Sequence, residues 1–243
     1  MSTETDDKSL DHFLEVVHNN QHGNRVRFSD EYRLIQRVDY SFVTAGKHLS
    51  HQKPMLVGPM FLRSQYAYKT AAGMTLAGQV AESFVMMRSC LEYAGYALAI
   101  FSDRTLDNTP SREEVFVNRN VDEVTLKAQK VEFQVGKIRR MIATFDEKLA
   151  AIFKLLYDRS IDYGGHPNPY GLLTGLKLET EKEGLTSITT LALTDDPIIT
   201  RFAMKSVAQV GLTVLYIFQQ MFRAKFELLG IRAEMDALRR AGL

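Results

Sequence analysis

Cysteine is almost missing from this sequence. The one thiol, Cys90, excludes an internal disulfide framework and fits a reducing compartment. A charge of one sign is missing too. The 30 Lys and Arg nearly balance 29 Asp and Glu, leaving +1, so no bulk field draws the chain to nucleic acid or an anionic membrane. A nucleic-acid role would need a local basic patch, and Arg139-Arg140 and Arg239-Arg240 are too sparse to form one alone. Long apolar runs are scarce. Phe84–Phe101 carries Arg88 and Glu92, and Val207–Phe218 is too short for a bilayer, so the sequence reads as soluble and cytoplasmic, with no membrane partner. The acidic start MSTETDDKSLDHF is neither a signal nor a transit peptide. A Gly-rich phosphate loop, a Cys-x-x-Cys pair and a Gly-x-Ser-x-Gly elbow are all lacking.

What is present is helical periodicity. The 243 residues suit one domain with a substantial core. Residues 1–7 read as a disordered tail, and Leu10–His18 as a short helix ending near Asn19-Asn20 and Gly23. Ser29 looks like an N-cap before an acidic first turn, and Ile35, Val38, Phe42, Ala45 and Leu49 form the apolar stripe behind it. Phe61–Ala72 forms a helix running toward Gly73. The next helix, 76–101, carries an apolar seam and a second face with Glu82, Ser89, Glu92 and Tyr96. Ser111 and Glu114 stand at capping-box spacing, as do Asn120 and Glu123.

From Val121 to Leu156, apolar residues alternate three and four apart, which predicts one helix of five heptads, roughly 50 Å long. Gly164-Gly165 should end it. Leu172–Thr180 and Leu185–Leu193 then read as a β-hairpin turning at Glu181–Gly184, within 170–194. Pro197 opens a long C-terminal helix over 197–240, weakened or kinked at Gly211 and Gly230. The expected fold is all-α: a single domain over 1–243, a bundle of long antiparallel helices with one β-hairpin before the last. The second face of the 76–101 helix and the length of the last helix suggest a further partner, most simply a second copy.

Continuing the long seam past Leu156 gives Arg159, Tyr163 and His166. The segment Arg159-Ser-Ile-Asp-Tyr-Gly-Gly-His166 resembles the signature of the HEPN superfamily: an arginine, four to six residues, then a histidine, with a polar residue such as Ser160 after the arginine. Arg88-Ser-Cys-Leu-Glu92-Tyr93 and Tyr157…His166-Pro167 also resemble uncharacterised bacterial helical families of that group. The resemblance implies a metal-independent endoribonuclease of the toxin or defence type, without a cofactor, working as a homodimer on RNA. Arg159 would bind the scissile phosphate and His166 would move the proton. Asp162 or Tyr163 would orient the imidazole, and Arg88, Glu82 and Glu92 would be supporting polar residues.

Other readings stand beside this one. Arg159 suits a helix C-terminus and has Asp158, Asp162 and Glu92 as candidate ion-pair partners, with His166-Pro-Asn-Pro a rigid turn. The chain would then be a non-catalytic module binding a nucleotide, RNA or protein. A third reading is a small-molecule enzyme with Glu82, Glu92, Arg88 and His166 around a pocket in the bundle. Glu15-Val-Val-His18 has the form of half a di-iron site but lacks a second copy. His48 and His51 fit a solvated helix end better than a metal.

Overall fold

A computed structural model describes residues 9–49, 53–103, 110–118, 123–165, 176–180, 186–190 and 193–243. The expected tail at 1–7, the Asn120 cap, His51, His166 and the Glu181–Gly184 turn lie outside the described residues. The architecture is all-α. In chain order the helices are α1 (Leu10–Arg27), α2 (Ser29–Gly46), α3 (Val57–Ala77), α4 (Val80–Phe101), α5 (Arg112–Val117), α6 (Glu123–Glu132), α7 (Val135–Phe145), α8 (Glu147–Ser160), α9 (Pro197–Met221), α10 (Arg223–Leu228) and α11 (Ile231–Arg240). A π-helical turn, Ile161–Gly165, continues α8. Between that turn and α9, the backbone of Leu176–Thr180 pairs antiparallel with Thr186–Thr190, with Leu178 opposite Ile188.

The core forms where α2, α3, α4 and α9 meet. Contacts between distant residues give the helix directions. Tyr68 donates its hydroxyl to the Ile35 carbonyl at 2.9 Å, while Phe42 lies against Phe61, so α2 and α3 are antiparallel. Ser64 and Cys90 exchange side-chain-to-carbonyl hydrogen bonds, which closes the α3–α4 hairpin. Phe84 meets Phe202 and Phe101 meets Phe222, so α9 runs parallel to α4 rather than against it. At Gly211 the α9 backbone presses so closely on Tyr68 and Val38 that a Cβ has no room. α4 and α9 are long and apolar enough to cross a membrane by length and composition, but 56% and 67% of those windows are buried inside the protein. The apolar stretch of α9 is thus longer than the Val207–Phe218 run suggests.

Several expectations need correction. The seam from 121 to 156 is three helices, not one. Phe133 turns inward beside Tyr96 and Phe116, and Gln134 restarts the chain as the N-cap of α7. Asp146, extended, caps α8 by accepting from the Leu149 amide at 3.0 Å. The breaks reset the helical phase, so Ile138, Ile142, Leu149 and Leu156 are buried while Val124, Val131, Phe145 and Ile152 are exposed. The C-terminal helix over 197–240 is also three pieces, interrupted at Phe222 and at Leu229–Gly230.

α1 runs past His18 and Asn20 to Arg27 because the amides of Asn20, Gln21 and Asn24 donate to the Ala77, Gly73 and Leu76 carbonyls at 2.9–3.0 Å. Asn20, read as part of a stop, is therefore one of the docking contacts of α1 on the end of α3. The α2 cap is Phe28, with Ser29 already helical, and α3 passes through Gly73 to Ala77. The capping box at Ser111 and Glu114 forms in full, and Pro197 opens α9 behind an Asp196 cap. On the second face of α4, Glu92 meets Tyr157 of α8 and Tyr96 meets Phe116 and Phe133, while Glu82 stays exposed; the last helices fold back on α2 and α9, as Arg37–Glu234 at 2.7 Å and Arg232–Gln219 at 2.7 Å show.

Arg112 ties α5 to its neighbours. It bonds Glu132 at 2.9 Å and the Ala99 carbonyl at 3.2 Å, and pairs with Asp103 at 3.7 Å. Burial of the Glu132 carboxyl favours its neutral form, yet its bonds to Lys137 and Arg112 outweigh that and hold the pKa below the ordinary 4.5. A carboxylate depressed in the folded state stabilises fully above its unfolded pKa and loses that contribution as pH falls through the folded value. Urea midpoints should therefore drop below about pH 4.5, and Glu132→Gln should flatten that acid limb; an unchanged slope would refute this role for the group.

Candidate functional site

α8 carries the residues in question on three faces. Leu149, Phe153, Leu156 and Ser160, spaced four, three and four, form the buried stripe. The Ser160 hydroxyl donates to the Tyr157 carbonyl at 2.6 Å, so it faces the core instead of standing ready beside Arg159.

Tyr157 faces α4. Its hydroxyl donates to Glu92 Oε1 at 2.9 Å. Burial, and then the carboxylate that accepts its proton, push the Tyr157 pKa well above the ordinary value. Arg88 Nε stands 3.6 Å from the same Glu92 oxygen, an ion pair too long for a hydrogen bond, and that Nε is buried with no hydrogen-bond partner. Arg88, Glu92 and Tyr157 therefore form a polar cluster in the α4–α8 seam. Glu82 is not part of it. It lies exposed in the first turn of α4, ten residues from Glu92 and so about 15 Å away along the axis. Among the described residues, Glu82 and Glu92 are not brought together at one pocket.

Arg159 faces the other way, toward α9. Its guanidinium donates to Ser206 Oγ at 3.2 Å and Gln209 Oε1 at 3.0 Å, and lies 5.2 Å from the Phe202 ring centroid. None of the anticipated carboxylates reaches it: Asp158 is paired with Lys154, Glu92 with Arg88, and Asp162 is exposed. Among the described residues, Arg159 is held only by neutral oxygens and a ring face, and it remains half-exposed. Neutral partners hold its guanidinium in place without offsetting its charge, as an anion-binding arginine requires.

The α-helix gives way at Ile161 to a π turn that runs through Gly164 and ends, among the described residues, at Gly165, where the two glycines were expected to end it. Gly164 is required for contact. A Cβ there would collide with the Ala81 carbonyl and stand 2.9 Å from Phe84 Cβ. Tyr163 stacks between Phe84 at 5.2 Å and Phe202 at 5.3 Å. From Arg159 the helical backbone is continuous to Gly165, the last described residue before His166 in the sequence.

Sequence reasoning missed Phe202, Ser206 and Gln209, which lie 43 to 50 residues from Arg159. Their only local signal is a polar row, Ser206, Gln209 and Thr213, at helical spacing within an otherwise apolar stretch. Glu15 and His18 are exposed on α1, and His48 is exposed at the end of α2. Cys90 is fully buried, and burial pushes its thiol pKa up, the opposite of a nucleophile's environment. Among the described residues no three His, Cys, Asp or Glu side chains gather in a metal-holding group. Set against models of protein families, curated proteins and solved structures, the chain matches none.

Proposed function

We propose that this protein is a HEPN-like, metal-independent endoribonuclease of the toxin or defence type, acting in the cytoplasm. The observation that carries the reading is Arg159, oriented by Ser206, Gln209 and Phe202 with no carboxylate on it. Such a guanidinium offsets the charge that builds on a scissile phosphate. The helical run through Gly165 supports a motif borne at one helix end, with His166 next in the chain. His166 then moves the proton of the RNA 2′-hydroxyl or of the leaving oxygen. Tyr163, packed between two rings, and Asp162, at the surface, flank that step. Arg88 and Glu92 act with Tyr157 to fix α8 on α4. In the resembling family the active species is a homodimer, and this reading adopts that state.

The test is cleavage of single-stranded RNA in EDTA by the wild type, Arg159→Ala and His166→Ala. Each substitution should slow cleavage at least about 100-fold, with thermal unfolding unchanged for the half-exposed Arg159. Equal rates in all three proteins would end the proposal. RNA binding that survives His166→Ala, with no cleavage by the wild type, would mark a binding module instead.

A further inference from the structure

Across α9 from Arg159 lies an open groove. Gln209 of α9 meets Arg159, and Gly211, two positions on and so on the opposite side of the helix, meets Tyr68 and Val38. Beyond Tyr68 the groove runs between α2 and α3, with Arg25 of α1 and Glu234 of α11 on its walls. It holds about 790 Å³, within the range of small-molecule sites. Its floor is mostly apolar: Ile35, Tyr68, Ala72 and Leu76 are all buried.

Three wall groups lack the partners that such groups usually have. Tyr40 is 70% exposed and makes no ring contact or hydrogen bond with a described residue. Asp39 accepts no hydrogen bond from a described residue. Lys69 Nζ stands 3.6 Å from its Oδ1, too far for one, and that oxygen is buried. A third of the Asp39 side chain nevertheless stays exposed, so the carboxylate is open to the groove. Arg25 lies over the Tyr32 ring at 5.8 Å and has no carboxylate on it among the described residues.

The other charges are placed. Arg37 is bonded to Glu234 at 2.7 Å, and Arg33 pairs with Asp30 at 3.5 Å on the open surface, where such a pair holds weakly. The walls carry four cations, with Arg25, Arg33, Arg37 and Lys69, against two carboxylates, Asp39 and Glu234. Tyr32 and Arg33 precede Asp39 and Tyr40 by seven residues, about 10 Å along α2. One end of the groove therefore offers guanidiniums, and the other an unbonded carboxylate beside an uncovered ring.

A ligand that matches both ends has N–H donors on a planar ring and an anion at its far end, which describes a nucleotide. Guanine suits the carboxylate best. Its N1–H and 2-amino group stand side by side and donate to one carboxylate together, whereas adenine sets its N1 acceptor against that carboxylate.

We propose that this groove binds a guanosine phosphate, either a free nucleotide or a guanosine within an RNA strand. Asp39 accepts from the base edge, the Tyr40 ring covers the base, and Arg25 with Arg33 takes the phosphate.

The experiment is calorimetric titration of the full chain with GMP, AMP and two 2′-O-methyl RNA pentamers, UUGUU and UUAUU, for the wild type, Asp39→Asn, Tyr40→Ala and Arg25→Gln. GMP or UUGUU should bind saturably at one per chain, and the tighter of the two assigns the source. Its adenine counterpart should bind at least about tenfold more weakly. Each substitution should weaken the guanine ligand about tenfold, by loss of an acceptor, a stacking face or a charge-assisted contact. Thermal unfolding checks that the variants fold, and the exposed Tyr40 and Arg25 carry the test if Asp39→Asn does not. The proposal is overturned if neither guanine ligand saturates, if the adenine counterpart binds as tightly, or if any folded variant keeps the wild-type affinity. Methylated RNA has no 2′-hydroxyl to attack its phosphate, so binding is read whether or not the protein cleaves RNA, and the nuclease reading stands or falls separately.

Discussion

Phe218→Ala lowers the free energy of unfolding by about 3–5 kcal/mol, the largest loss expected from a single side chain here. Phe218 is fully buried in the last turn of α9 and meets Phe61 edge-on, centroids 4.8 Å apart at 75°. Phe61 in turn lies against Phe42, so the three rings join α2, α3 and α9. Truncating one ring leaves a hole whose walls belong to three helices, and no single side chain can move to fill it. The deletion therefore costs the transfer free energy and the cavity together. Denaturant unfolding at neutral pH measures it. A loss under about 1.5 kcal/mol would mean that the three helices do not share one core there.

Gly164→Ala destabilises by about 2–3 kcal/mol, through overpacking rather than loss. The added methyl meets the Ala81 carbonyl and the Val85 amide nitrogen, 3.1 Å away, which are backbone atoms that no rotamer change can clear. The end of α8 must lift from α4, taking Tyr163 off Phe84. Gly136→Ala is the control with opposite sign. Gly136 lies exposed in α7 with nothing near its Cβ position, so alanine there should stabilise by about 0.5–1 kcal/mol through helix propensity alone. Equal effects at the two glycines would refute the contact argument.

These two glycines mark the limit of what the sequence discloses. Local chemistry was legible: Ser111 with Glu114 and Asp196 with Pro197 each set a helix start through atoms three or fewer residues apart. The apolar stripes of α2 and α9 were legible because each face is set by the helix itself. The break at Asp146 was not, since an aspartate inside a strong three-four repeat reads as a surface residue until its carboxylate is seen on the Leu149 amide. Gly164 reads as part of a helix end, and its second role as a contact was hidden because Ala81, the backbone it meets, lies 83 positions earlier. Arg159 was found from its place in the seam, but its partners were not. Whether an arginine is neutralised by Asp158 or left charged by Gln209 depends on tertiary packing, which periodicity does not encode.

α1 buries none of its side chains fully and rests on α3 through the amides of Asn20, Gln21 and Asn24. Its release therefore exposes little hydrocarbon, and so carries little change in heat capacity. The four-helix core, built from aromatic and aliphatic side chains, follows a domed stability curve that weakens in the cold, whereas the detachment of α1 follows a nearly straight one. On cooling, the two should diverge. Amide exchange in α1 should slow steadily toward low temperature while protection in α9 passes through a maximum, and parallel behaviour of the two would show that α1 unfolds only with the core.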